Sequence, residues 1–171
     1  STLDVIRKQA QAGVDVINSG EQSRTSFSTY VIQRMAGFGG SWTRRGHKDQ
    51  NEFPGIARPR VVQLMTGVPQ CTGPPEYQRP DLAERELDGL VNGVKQSGAV
   101  HQDLFMSAAL PGIIALTLGN AHYASHNEYV MALAEEMRKE YEIITARGVI
   151  LQLDCPDLAM ERHVAYQDDP I

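Results

Sequence analysis

No run of apolar residues in this chain approaches the roughly 20 that a membrane span needs. No signal-peptide pattern stands at its start, where Ser1 to Ala12 reads as an amphipathic helix. Cysteine is scarce: Cys71 and Cys155 stand far apart, which argues against a disulfide framework and suits a reduced, cytoplasmic protein. Positive charge is in deficit. A net charge of -5 and a pI of about 5.5 repel a phosphate backbone, so nucleic acid is not an expected partner. The one basic cluster, Arg44, Arg45, His47 and Lys48, lies in a glycine-rich stretch and reads as a solvated loop rather than an anion site. Gly37-Phe38-Gly39-Gly40 follows a helical pattern instead of a strand, so the phosphate-loop context is lacking. Close metal-ligand pairs are missing too. His122 and His126 stand four apart without an acidic or sulfur partner at fixed spacing, and read as surface histidines.

What is present is a chain of 171 residues, 42% hydrophobic, which suits one domain of ordinary size with a real core. Ser1 or Thr2 can cap a helix running to Ala12, ended by Gly13, and Val14 to Asn18 then reads as a short buried strand. A second helix is expected from Ser26 to Ala36, with Tyr30, Val31, Arg34 and Met35 at helical spacing. Residues 37–59 read as a long polar loop or excursion holding the lone tryptophan, Trp42. Arg60 to Met65 and Val68 to Thr72 are strand-like, closed by Gly73-Pro74-Pro75, and belong either to an excursion or to the main sheet. Asp81, with Glu84 three residues on, is the expected cap of a helix whose apolar face is Leu87, Leu90, Val91 and Val94. Asp103 to Ala108 is strand-like. From Asn127 to Arg147 the residues Val130, Leu133, Ala134, Met137, Tyr141 and Ile144 form one helical stripe, and Val149 to Leu153 follows as a buried strand.

Strands alternating with amphipathic helices imply βα units and a parallel sheet. A full (βα)8 barrel takes roughly 250 residues, so the pattern fits a small open α/β sheet or part of a barrel. In such folds, functional groups gather at the carboxyl ends of strands. Those positions hold Asn18, Glu21 and Gln22; Cys71 and Thr72; Ser107; and Asp154, Cys155 and Asp157. Glu21 and Asp154 are acids placed directly after apolar strands, where a carboxylate needs a partner or a cation. Gripping an ammonium group or hydroxyl, and capping the next helix, are equal readings of both.

Three segments together carry a resemblance: GVDVINSGEQSRTSFSTYVIQRMAGFGG (13–40), PQCTGPPEY (69–77) and NEYVMALAEEMRKEYEIITARGVILQLDCPDLAM (127–160). In order and spacing they are similar to the catalytic domain of the cobalamin-independent methionine synthase family, whose short members include epoxyalkane:coenzyme M transferase-like proteins. The resemblance covers nearly the whole chain. It implies a single domain over 1–171, a partial (βα)8 barrel that amounts to roughly the first half and lacks the first strand and the C-terminal βα units. It implies a zinc-dependent transfer of a methyl or other alkyl group to the sulfur of a small thiol such as homocysteine. Glu21 and Asp154 match the family acids that hold the amino group of the substrate, and Cys71 matches a cysteine beside the folate-binding stretch.

The chain also departs from the family. Gln70 stands where the methionine synthases have arginine, and Met160 where they carry a folate-contacting glutamate, leaving the alkyl donor unknown. No histidine is followed two places later by cysteine, so the zinc that the resemblance implies has no ligands expected in this chain, and no catalytic residue is identifiable. The expected remedy for a half barrel is self-association or a partner barrel half.

Overall fold

Ser1 opens helix α1 (Thr2–Gln11) by a reciprocal cap. Its hydroxyl accepts from the backbone N–H of Asp4, and the Asp4 carboxylate reaches back to Ser1. In this computed structural model, which describes residues 1–48, 52–53 and 66–170, α1 leads into β1 (Val16–Ile17), shorter than the sequence suggests. Strand β4 (Asp103–Ala109) and strand β5 (Ile150–Asp154) complete a parallel three-stranded sheet in the order β1-β4-β5. Helix α2 (Pro80–Ser97) precedes β4; helices α3 (Pro111–Thr117) and α4 (His126–Ala146) lie between β4 and β5. A short helix α5 (Asp157–Met160) follows the last strand.

The largest correction lies between β1 and α2. Over Ser26 to Ala36 the chain forms only a 3-10 turn (Thr29–Gln33) and then strand β2 (Met35–Thr43). It pairs antiparallel with β3 (Thr66–Tyr77), so 37–43 is strand and not loop. The helical spacing of Tyr30, Val31, Arg34 and Met35 was local information, and long-range strand pairing overrides it. Cβ on Gly37, at φ 94°, would lie 2.5 Å from the carbonyl oxygen of Pro74, so the two backbones meet where no side chain fits. Pro74 and Pro75 do not close β3 as expected but lie within it. They are tolerated because, among the described residues, β2 is its one long ladder partner and the register there is irregular. The strand expected over 60–65 lies outside the described residues, as does most of 48–59.

Helix starts also differ in detail. Pro80 occupies the first turn of α2, with its φ already set for a helix, and Arg79 stands at the cap position without a side-chain cap bond. Asp81 therefore lies inside the helix and pairs with Arg79 and Arg85 instead of capping. Helix α4 begins as its stripe predicts, with the Ser125 hydroxyl accepting from Glu128 N–H at 3.1 Å. Gly98 ends α2 in left-handed backbone (φ 65°).

The helices cover one face of the parallel sheet. Ile6, Leu87, Leu90, Val94 and Ile144 meet Ile17, Met106 and Ala108 in one core. A second core joins the hairpin to α3 and α4 through Tyr30, Cys71, Tyr77, Ile114, Leu133 and Met137. The opposite sheet face stays open among the described residues: Val16 is 36% and Ile150 49% exposed. No helix among them is long and apolar enough to cross a membrane.

Candidate functional site

In a parallel ladder, residues paired across strands point to the same side. Ser107 pairs with Gln152 and Phe105 with Ile150, which puts the polar side chains of β4 and β5 on the open face. At the carboxyl end of that face Asn18, Gly20, Glu21, Phe105, Ser107, Gln152 and Asp154 line a cleft of about 310 Å³. Glu21 and Asp154 are thus brought to one cleft although most of the chain lies between them. Gln152 donates from Nε2 to Asp154 Oδ1 at 2.9 Å.

The turn that delivers Glu21 is unusual. Gly20 has φ 63° and Glu21 φ 54°, the latter the one non-glycine residue with positive φ among the described residues. Asn18 Oδ1 accepts from Gly20 N–H at 2.6 Å and Ser19 Oγ from Glu21 N–H at 3.3 Å, holding the two residues in that form. Strained backbone of this kind persists where its surroundings over-determine it, and it gathers at binding sites. Ser107 donates its hydroxyl to Glu21 Oε1 at 2.5 Å, and Arg24 reaches the same oxygen from Nη1 at 3.4 Å.

Behind the cleft lies a buried ionic network. Arg24 meets Glu86 at 2.9 Å; Arg34 meets Glu86 at 2.6 Å and Glu140 at 2.8 Å. Tyr30 and Tyr77 donate their hydroxyls to Glu140 at 2.6 and 2.7 Å. Both guanidiniums lie over the Tyr30 ring, at 4.4 and 4.5 Å from its centroid. Burial, reinforced by the Glu140 charge, pushes the Tyr30 and Tyr77 hydroxyls well above the ordinary tyrosine range. Burial alone would lower Arg34, but Glu140 and Glu86 outweigh it and raise it.

The other residues singled out in the sequence lie elsewhere. Cys71 is wholly buried in the hairpin core, its thiol against the Gly73 carbonyl at 3.2 Å and raised by burial; it does not line the cleft. Cys155 borders a neighbouring hollow with Phe27 and Pro156. His122 and His126 are exposed. Arg44 pairs with Glu161, and Arg45 with Asp168 at 2.5 Å, so much of the basic cluster is neutralised within the chain. Among the described residues no group of three or more His, Cys, Asp or Glu could hold a metal ion. Asn18 and Ser107, both expected at strand carboxyl ends, do line the cleft; Gln152 could have been found from its period-two spacing with Asp154 in an apolar strand. Arg24 could not, because Glu86 and Ser107, which fix its guanidinium, are distant in sequence.

No protein-family model matches the sequence, and no curated protein matches it. A solved structure does: a B12-independent methionine synthase from Shewanella sp. W3-18-1, in complex with selenomethionine, at a TM-score of 0.63 and 24% identity. The fold is shared with that enzyme. At this identity the likeness speaks for the mixed α/β fold alone. The match covers 91% of this chain and 41% of that one, so the chain spans less than half of its neighbour.

Proposed function

We propose that this chain is part of a thiol alkyltransferase of the cobalamin-independent methionine synthase type, and that its cleft grips the ammonium group of a thiol amino acid such as homocysteine. The observation that carries the reading is the convergence of Glu21 and Asp154 on one cleft at the carboxyl end of the parallel sheet. The charge behind it points the same way. Arg24 and Arg34 face the carboxylates of Glu21, Glu86 and Glu140, so by formal charge the cluster is one cation short at its solvent end. An ammonium group there completes it, and Asp154 adds a second anion. The neighbouring enzyme's selenomethionine complex supports an amino acid of this kind as ligand.

Zinc is the cofactor that the sequence resemblance implies, and the described residues do not fit it. Cys71 is enclosed, Cys155 has no nearby donor set, and the two do not share a site. Thiol activation is therefore assigned to groups outside the described residues, and the share of this chain is to bind and orient the amino acid. The alkyl donor stays open, and with it coenzyme M in place of homocysteine. Calorimetry with L-homocysteine, L-methionine and coenzyme M tests this directly. Binding of the two amino acids that falls about ten- to a hundredfold in Glu21→Gln, the loss of one charge-assisted hydrogen bond, supports the reading. Equal binding of coenzyme M and insensitivity to Glu21→Gln would return Glu21 to a capping role.

The open sheet face favours a second role alongside the first, a barrel segment that needs another half. Parallel sheets are covered on both faces in stable proteins, and Val16 and Ile150 are not covered here. Sedimentation of the chain alone is expected to show self-association; a monodisperse monomer that melts cooperatively would remove this role.

A further inference from the structure

Arg24 is a buried side chain that joins the cleft residues Glu21 and Ser107 to Glu86 in the ionic network behind them. Its side chain is 2% exposed. Nε faces Glu86, Nη1 faces Glu21 Oε1 and donates to the Ser107 hydroxyl at 3.4 Å, and Nη2 donates to the Ser107 carbonyl at 2.6 Å. The flat face of the guanidinium rests on the Tyr30 ring. A planar fork fixed at each of these points has no freedom of its own. Its reach into the cleft is set by its direct contacts with Glu86 and Tyr30.

Glu21 needs such a holder. Its carboxylate is a third exposed and its backbone sits in a conformation that side chains avoid. The Ser107 hydroxyl alone would leave it free to swing into solvent. We propose that Arg24 is a positioning residue for this cleft: it fixes the Glu21 carboxylate and the end of β4 in one relation, so that the ligand meets a preformed anion. This rests on the cleft being the amino-acid site proposed above. Arg24 touches no ligand in this scheme and acts through Glu21.

The test compares wild type, Arg24→Lys and Glu140→Gln, the last of which disturbs the same network at the end far from the cleft. Calorimetry with L-methionine and thermal unfolding are measured on each. Both variants are expected to lower Tm, but only Arg24→Lys weakens methionine binding, by about tenfold or more; Glu140→Gln stays within about twofold. Equal losses in both variants, or none in Arg24→Lys, overturn the proposal. Side-chain scalar couplings of Glu21 provide a reading that needs no ligand. One rotamer in wild type and averaging in Arg24→Lys support the proposal even if wild type fails to bind methionine, a result that would sink only the amino-acid reading. Unchanged couplings overturn it. If Arg24→Lys does not fold, the double variant Arg24→Gln/Glu86→Gln, which removes opposite charges together, is read by the same criteria.

Discussion

Glu21 carries a backbone cost that a capping carboxylate has no need of. Left-handed backbone costs an L residue roughly 1–2 kcal/mol, and glycine escapes the penalty. Two variants that both lack the carboxylate isolate that cost: Glu21→Gly should be more stable than Glu21→Ala by about 1 kcal/mol. Chemical denaturation of the pair measures it, and equal stabilities would mean that the φ of 54° stores no strain. The position itself was legible as an acid behind an apolar strand. Its conformation was not, because it depends on Asn18 and Ser19 side chains turning back onto the loop and on Ser107 from another strand.

The hairpin β2-β3 shows how one element can invert its local signals. Glycines and paired prolines argued for a loop, yet the same residues let two strands approach too closely for side chains. Gly37→Ala should therefore cost at least roughly 2 kcal/mol, since its Cβ meets a backbone carbonyl that cannot move aside. Gly73→Ala is the control, because nothing lies within 4 Å of its Cβ. Similar denaturation midpoints for the two would contradict the close approach. Elements with strong periodicity were read well: α4 begins one residue before its expected start and ends one before its expected end. What the stripe concealed is Glu140, a carboxylate on the buried side, legible only once Tyr30, Arg34 and Tyr77 are seen to converge on it.

Across the molecule, buried hydroxyls set the response to alkali. Burial is the chief cause that raises Tyr30, Tyr77, Tyr129 and Tyr141 above the ordinary value of 10.0. Because the folded values lie above the unfolded ones, their contribution to stability is complete below the ordinary tyrosine range and is lost as pH rises beyond it. Phenolate absorbance followed with circular dichroism should show these tyrosines ionising in step with unfolding. Early, reversible ionisation of them in a folded protein would contradict their burial. The alternation of strands and helices made the α/β class legible in the sequence, while the uncovered sheet face emerged only from the strand order. The Glu140 network has a further consequence, in time instead of energy. Tyr30 lies 110 residues from Glu140 in sequence and Tyr77 lies 63 away, so these bonds close only after three distant segments have docked. Contacts that form so late weigh on the rate of escape from the native state and little on the rate of reaching it. The network that backs the cleft is therefore expected to act as a kinetic latch, so that Glu140→Gln speeds unfolding more than it slows folding.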